Sequence, residues 1–309
     1  MKTIFGFGLI QILLSLVVLS CLPVVVSAQT DSAVKVLIVN AHPDDEGGCA
    51  VTVYKITHDL KGTVDIALVT NGEGGYKYST LAEDIYGVEL TDEKEGREYL
   101  PTIRKKEMMA GGKIIRLRNY FFLDNLDHMY TQNVDSVLTY VWDGASIKKR
   151  LREIMEKGKY DYVFCLLPTE DTHGHHKGAT ILALQTVQEL PRTMKKPVVL
   201  GVSVSGAGST ANTVFTGLKG YPITAVADST PVVSFDRTKK FGFRNQLDYR
   251  VIVNWLIAEH KSQGVMQLYM NQGDRENFWF FDINDRAALP ALKSLFDRLN
   301  TVTFRSRTY

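Results

Sequence analysis

The stretch that decides the fold is VKVLIVNAHPDDE, residues 34–46. Its first part, Val34 to Val39, is an almost continuous aliphatic and β-branched run, which is typical of a strand buried on both faces of a parallel sheet. The run stops at Asn40, and the polar segment AHPDDE, residues 41–46, falls where a helix is expected to begin. In open α/β sheets, ligands bind at this carboxyl edge of the strands.

Further apolar runs have the length of buried strands, and segments with helical periodicity alternate with them. The predicted strands cover residues 64–70, 114–122, 160–167, 197–204 and 278–281, and the predicted helices cover about 46–60, 146–158, 176–190, 245–261 and 287–300, with another beginning at Arg104. This alternation predicts an α/β fold, a three-layer α/β/α sandwich with a Rossmann-like, mainly parallel sheet. After about residue 206 the chain is rich in Ser, Thr, Val and turn residues, so we expect an antiparallel elaboration there. Residues 76–103 are polar and rich in Tyr without a clear period, and we expect a long loop or lid.

A second polar loop, DTHGHH at residues 171–176, also follows a buried strand. His42 and Asp45 are three residues apart, as are His173 and His176, and this spacing lets both side chains near a helix start face the same side. Neutral imidazoles with one carboxylate suit a zinc site that keeps an open position for water. The same donors suit a ferrous site.

Additional acidic side chains lie beside this predicted metal site. Asp44 and Glu46 are both candidates for the base that moves a proton there. Two alternatives involve no metal: Asp44 and Asp45 would cap a helix and complement its positive end, and the three histidines of the second loop would form a polar surface. Because both loops follow buried strands, the metal site is the preferred interpretation.

The paired segments resemble the PIG-L/LmbE-like N-acetylglucosaminyl deacetylases. The resemblance rests on AHPDDE and on His173-x-x-His176, and further likenesses are Thr70-Asn71-Gly72-Glu73, Arg104 with Glu107, and His260-Lys261-Ser262-Gln263. It covers residues 34–205 well and residues 245–264 in part. Residues 76–103 and 206–244 look like elaborations of a smaller core.

The resemblance implies the roles of the residues in the two loops. It assigns His42, Asp45 and His176 as ligands of Zn²⁺, with Fe²⁺ or another divalent metal as alternatives, and Asp44 as the general base. His173 would stabilise the oxyanion, and either His173 or protonated Asp44 would protonate the leaving amine. His175 has no matching role, and we expect it to point away or to support the ligands from behind.

The resemblance also implies residues around this centre. Arg104 would bind sugar hydroxyls, with a solvated charge at a helix start as the alternative. Asp127 would correspond to a family acid that contacts substrate, and Asp124 competes for that place. Glu46 and His260 would lie behind the site and support it.

Composition excludes several classes of protein. The 309 residues carry a formal net charge of +2, with 45% hydrophobic and 23% charged residues, which excludes a disordered, collagen-like or coiled-coil chain. The near-neutral charge gives no electrostatic case for a nucleic-acid partner. A nucleotide-binding Rossmann protein would carry G-x-G-x-x-G after the first strand, where AHPDDE stands instead.

The N-terminus predicts export. Lys2, an apolar run and small residues up to Ala28 form a signal-peptide pattern, so residues 1–28 would be removed and residues 29–309 would form one domain, periplasmic or secreted. A transmembrane anchor and a lipid anchor at Cys21 are the alternatives, and we expect no stable membrane insertion after cleavage. The mature cysteines, Cys49 and Cys165, form no disulfide framework.

These expectations combine into one function: an exported, zinc-dependent N-deacetylase that acts on an amino sugar of the N-acetylglucosamine type or on a glycan that contains it. Two alternatives stay open. One is an amide hydrolase that acts on another glycoconjugate, and the other is a non-catalytic carbohydrate-binding protein with the same fold.

Overall fold

The predicted first strand is an interior strand of the main sheet in a computed structural model, which describes residues 33–206, 214–269 and 272–301. The strands are β1 (Lys35–Asn40), β2 (Thr63–Thr70), β3 (Leu117–Asn125), β4 (Tyr162–Leu166), β5 (Val198–Ser205), β6 (Val233–Asp236), β7 (Lys240–Phe241), β8 (Leu247–Asp248) and β9 (Arg275–Phe280). The α-helices are α1 (Ala50–His58), α2 (Thr80–Tyr86), α3 (Glu93–Ile114), α4 (Val134–Ser136), α5 (Gly144–Gly158), α6 (Gly174–Glu189), α7 (Arg250–Ala258) and α8 (Leu289–Thr301). The predicted signal peptide lies outside the described residues.

The main sheet has the order β3-β2-β1-β4-β5-β9-β6 within the described residues. Strands β3, β2, β1, β4 and β5 are parallel, β9 runs antiparallel to β5, and β6 runs antiparallel to β9. In the centre, Val36 of β1 pairs with Val64 of β2 and with Tyr162 of β4. The mainly parallel sheet and its antiparallel addition after residue 206 are therefore confirmed.

Helices cover both faces of this sheet. Val36 and Ile38 point into one apolar core, which α1, α3, α7 and α8 complete. Leu37 and Val39 point into the other core, which α5 and α6 complete. Because alternate residues of a strand face opposite sides, a strand that is apolar at every position requires a helical layer on each side. This arrangement is the predicted three-layer sandwich.

The expectation of a long loop or lid at residues 76–103 is wrong. This segment contains a 3₁₀ turn at Glu73–Tyr78, then α2, and α3 begins at Glu93 rather than at Arg104. The Asp92 side chain caps α3 by accepting a hydrogen bond from the amide of Glu95, which is the kind of signal that starts a helix. These helices show no clear apolar periodicity in the sequence because many of their residues are polar. The apolar cluster buried between them is small and consists of Ala82, Leu90 and Leu100.

Other differences concern the ends of helices. The predicted first helix is split into a 3₁₀ turn, Asp45–Cys49, and α1, and the predicted helix at residues 245–261 is the shorter α7. The described residues make one compact unit. Among the described residues, no helix is both long enough and apolar enough to cross a membrane.

Candidate metal centre and active site

The two polar loops meet at the carboxyl edge of the sheet. The loop after β1 carries His42, Asp44 and Asp45, and the start of α6 carries His173, its N-cap, and His176, which lies in its first turn. Strands β1 and β4 are neighbours in the parallel sheet, so their following loops leave it side by side. The loops after β2 and β3 reach the same edge.

His42, Asp45 and His176 converge as a ligand set. Nδ1 of His42 lies 3.1 Å from Nε2 of His176, which lies 3.1 Å from Oδ1 of Asp45. Nδ1 of His42 also lies 3.7 Å from Oδ2 of Asp45. One donor atom from each residue falls within a span of 4.8 Å. Two imidazoles and one carboxylate at this separation fit a tetrahedral Zn²⁺ site with its fourth position open.

The turn that follows β1 holds Asp45 in place. Oδ2 of Asp45 accepts hydrogen bonds from the backbone amides of Ala41 at 3.1 Å and His42 at 2.8 Å. Burial favours the protonated acid, but the pairing with His176 and His42 outweighs it and holds the pKa of Asp45 below its usual range. Asp45 is thus a carboxylate, which is the form that binds a metal.

Both imidazoles of this set have a partner on the other ring nitrogen. Nδ1 of His176 lies 3.0 Å from the hydroxyl of Thr172, and Nε2 of His42 lies 3.5 Å from Oδ1 of Asp127. Such partners fix the orientation of metal-binding histidines. Burial lowers the pKa of His42, but the negative charges of Asp127 and Asp45 have the larger, opposite effect and raise the pKa to about 9. A metal that binds this ring must therefore displace a proton from it.

Asp44 lies beside the ligand set and is held by Arg104. Nη2 of Arg104 donates to Oδ2 of Asp44 at 2.9 Å, and its guanidinium also donates to the carbonyl oxygens of Pro43 and Gly72. Asp44 adopts a left-handed backbone conformation with φ 107°, which is uncommon for a residue other than Gly. Burial raises the pKa of Asp44 to about 6, against the opposing attraction of Arg104.

Arg104 is therefore a buried residue and does not line the surface of a substrate cleft. Its side chain is only 3% exposed and lies beneath Asp44. Gly72 makes room for it, because a Cβ atom at this position would lie 2.1 Å from Nη1 of Arg104. The solvated helix-start alternative is excluded by this burial, and the contact with sugar hydroxyls stays a prediction.

Asp127, rather than Asp124, lies at the centre. Oδ1 of Asp127 is 3.1 Å from Nδ1 of His175, and Oδ2 accepts a hydrogen bond from the amide of Gly74 at 3.0 Å. Burial raises the pKa of Asp127, but the two histidines it faces, His42 and His175, hold it well below its usual value. Asp124 is exposed and pairs with Lys105. The substrate contact of Asp127 stays a prediction, and its contacts in the structure give it a role in orienting His42.

The remaining two histidines differ in their surroundings. His173 caps α6, with Nδ1 accepting a hydrogen bond from the amide of His175 at 2.9 Å, so the neutral ring carries its hydrogen on Nε2. Burial lowers the pKa of His173 to about 3, which keeps the ring neutral. His175 does not point away: it is fully buried, stacks on Trp142, and faces His42 and Asp127.

A buried layer supports the loop after β1 from behind. Oε2 of Glu46 accepts from the amide of Asp44 at 2.9 Å, and Oε1 lies 2.6 Å from Nε2 of His260. Glu107 accepts from both the amide and the hydroxyl of Ser262, at 2.8 and 2.6 Å. The separate sequence likenesses around Arg104 and His260 are therefore joined by contacts that no spacing in the sequence reveals.

Comparison with known proteins agrees with this geometry. Residues 37–187 match the family model described as PIG-L: GlcNAc-PI de-N-acetylase. These residues are a PIG-L domain. The match includes both polar loops, Arg104 and Asp127, and the seven-stranded α/β fold is like that of the PIG-L deacetylases. No curated protein matches the chain by sequence.

Solved structures resemble the PIG-L domain and its flanking residues in fold. N,N'-diacetylchitobiose deacetylase from Pyrococcus horikoshii is 19% identical, with a TM-score of 0.51 over 80% of this chain and 83% of the other. A deacetylase triple mutant from the teicoplanin biosynthetic pathway is 13% identical, with a TM-score of 0.50 over 82% and 99%. A 4-carboxy-2-hydroxymuconate hydratase from Pseudomonas putida KT2440 is 12% identical, with a TM-score of 0.49 over 80% and 95%. For the two deacetylases, identities this low show a shared fold alone.

Proposed function

We propose that the protein is an exported, zinc-dependent N-deacetylase that removes the acetyl group from an amino sugar of the N-acetylglucosamine type or a glycoconjugate that carries one. The observation that carries the proposal is the convergence of His42, Asp45 and His176 inside the PIG-L domain, with Asp44 held beside them. The donor set favours Zn²⁺, and Fe²⁺ is the nearest alternative.

His42, Asp45 and His176 would hold the metal. When bound, the metal supplies Lewis acidity, which polarises a carbonyl group and acidifies water. The chain's own contribution is to orient the donors: Asp127 fixes the ring of His42, Thr172 fixes the ring of His176, and two backbone amides fix Asp45. A ligand set that is held in this way needs little rearrangement at the moment of reaction.

Asp44 would act as the general base. Arg104 holds one of its oxygens, and the peptide of Asp44 is fixed by Glu46, so the carboxylate is oriented before substrate arrives. Burial raises its pKa to about 6, which is closer to neutrality than an ordinary carboxylate and is favourable for accepting and returning a proton. Asp44 would take a proton from the attacking water and then return it to the leaving amine.

His173 would donate a hydrogen bond to the oxyanion. Its Nδ1 accepts from the amide of His175, so its Nε2 carries the hydrogen, and its low pKa makes it a poor source of a full proton. A neutral donor of this kind stabilises developing negative charge without being consumed. One such donor is typically worth roughly 10²–10³ in kcat. Asp44 is therefore preferred over His173 as the group that protonates the amine.

Acetate release tests this function. The purified protein is offered N-acetylglucosamine and short chitin oligomers, and we expect metal-dependent release of acetate. Asp44→Ala should keep the metal and lose at least about 10²-fold in rate, as removal of a general base typically costs 10²–10⁴-fold. His176→Ala should lose activity and the metal held by His42, Asp45 and His176, whereas His128→Ala, an exposed histidine of the same edge, should lose neither.

An Asp44→Ala variant that releases acetate at the wild-type rate would contradict the proposed base. Metal binding without acetate release from any amino sugar would contradict the proposed substrate class.

Export is a separate part of the proposal and rests on residues 1–28. The mature chain is proposed to begin at Gln29 and to reside in the periplasm or outside the cell. Expression of the whole chain in a secreting host, followed by N-terminal sequencing, should find Gln29 first. A chain that keeps its first 28 residues and fractionates with membranes would favour the anchor instead.

A further inference from the structure

The imidazole of His42 has a second group of donors on its other nitrogen. Nε2 of His42 lies 3.2 Å from Nδ1 of His175 and 3.5 Å from Oδ1 of Asp127, and those two atoms lie 3.1 Å apart. These three atoms form a triangle on the opposite side of the ring from Asp45 and His176. His173 is also near: one nitrogen each from His42, His173 and His175 falls within a span of 4.8 Å.

The size of the triangle matches a metal's coordination shell. Ligand atoms that bind a tetrahedral zinc at about 2.0–2.1 Å are separated from one another by about 3.3 Å. The edges of the triangle, 3.2, 3.5 and 3.1 Å, lie around this value, as do two of the three edges of the first ligand set. All three side chains are buried, so the donors cannot spread into solvent.

We propose that His42 Nε2, His175 Nδ1 and Asp127 Oδ1 form a second binding site for a divalent transition metal, with His173 as the fourth ligand. An ion at this site would prevent His173 from donating a hydrogen bond to the oxyanion. It would also replace the contact by which Asp127 orients the ring of His42. A second ion would therefore inhibit the enzyme. The inhibitory consequence rests on the proposed function, whereas the binding of the ion does not.

The second site should bind more weakly than the first. Binding at Nε2 while Nδ1 holds the first ion requires His42 to release its remaining N–H proton to solvent, and His173 must give up its hydrogen bond to the amide of His175 or its Nε2 hydrogen. Within the described part of the chain, Nε2 of His175 has no hydrogen-bond partner, so this ligand lacks the outer contact that usually supports a metal-binding histidine. We therefore expect occupation only when metal is in excess.

Ion counting tests the site without using activity. Chelator-treated protein is titrated with Co²⁺ and followed by visible absorbance, and Zn²⁺ is counted at saturation. Wild type should bind one ion tightly and a second at least about tenfold more weakly. His175→Ala should bind only the tight ion, His176→Ala should keep one ion at the second site, and His128→Ala should bind two, like the wild type.

Saturation of the wild type at one ion would overturn the proposal, and so would two ions in His175→Ala or none in His176→Ala. If His175→Ala does not fold, as judged by circular dichroism, Asp127→Asn takes its place with the same expected loss of the weak ion. Acetate release then tests the consequence: excess zinc should lower the wild-type rate at least about tenfold and leave His175→Ala at its own one-equivalent rate. Because the ion count is independent of acetate, failure of the second site and failure of the deacetylase proposal give different results.

Discussion

Replacement of Arg104 by Met removes the positive charge beneath Asp44 and keeps most of the apolar stem. In the wild type, the guanidinium donates to Asp44 and to the carbonyl oxygens of Pro43 and Gly72, with both members of the ion pair almost completely buried. In Arg104→Met, the carboxylate of Asp44 stays in the same buried place without its partner. We expect two consequences, one for stability and one for the pH profile.

The loss of stability should be large. Breaking a buried ion pair by removing one partner costs about 3–5 kcal/mol, because the remaining charge is left uncompensated. For a chain of this size, 1 kcal/mol corresponds to roughly 2–4 °C in Tm, so the metal-free variant should melt about 6–20 °C below the wild type. Differential scanning calorimetry measures this difference. Arg104→Lys, which keeps the charge but cannot reach all three acceptors together, should fall between the two.

The pH profile should move in a defined direction. Arg104 lowers the pKa of Asp44, which burial raises to about 6, so loss of the guanidinium lets that pKa rise further. Asp44 acts as a base only when ionised, and the acid limb of kcat/KM should therefore move to higher pH in Arg104→Met and little in Arg104→Lys. A Tm within 2 °C of wild type together with an unchanged acid limb would refute this reasoning, and an increase in KM alone would favour the predicted sugar contact.

Three further changes test the surrounding structure. Gly72→Ala should move the acid limb of kcat/KM to higher pH, as Arg104→Met does, because the added Cβ would lie 2.1 Å from Nη1 of Arg104 and would displace the guanidinium from Asp44. The φ of 75° at this residue adds strain, and a wild-type pH profile would be the contrary result. Asp65→Asn should lower stability at neutral pH. Burial raises the pKa of Asp65, but hydrogen bonds led by Arg118 outweigh this effect and lower the pKa in the folded protein. The stability that ionised Asp65 contributes is therefore complete above the ordinary pKa of 3.8 and is lost as pH falls through the lower folded pKa. Urea unfolding from pH 7 to 2 should show the stabilities of wild type and Asp65→Asn converging at low pH, and a pH-independent difference would be inconsistent with this reasoning. Asp92→Ala should cost about 1 kcal/mol in the same assay, because the N-cap of α3 is lost, and an unchanged midpoint would show that the cap contributes nothing.

The central part of the fold follows from the sequence because its signals are local. An apolar run such as Val36 to Val39 is typical of a strand between two layers of helices, and the polar residues that follow such a strand lie at the sheet edge. The likeness of AHPDDE and His-x-x-His to a known family then supplied the ligands, which the structure brings together.

The helices at residues 76–103 could not be predicted in the same way. Their stability depends on packing of a few apolar residues, among them Leu90 and Leu100, against each other rather than on a long apolar stripe. Asp92 is a local signal for the start of α3, since Asp at an N-cap is strongly preferred, but one cap does not show how far a helix extends.

The contacts within the site were also beyond the sequence. Arg104 and Asp44 are 60 residues apart, and Asp127 follows β3 while His175 lies in the first turn of α6. The sequence predicts that Arg104 and Asp127 are functional residues. Whether each one contacts a substrate or orients another side chain depends on distances between residues that are far apart in the sequence. The structure places Arg104 against Asp44 and Asp127 against two histidines, and only folded coordinates supply that information.

The most direct test of the central claim is a zinc titration of the chelator-treated protein with acetate release as the readout. The account predicts negligible release without metal, a linear rise to one equivalent of zinc, and no rise in His176→Ala at any zinc concentration. Full activity in the metal-free protein, or zinc-dependent activity that survives His176→Ala, would contradict the assignment of His42, Asp45 and His176 as the centre of the reaction.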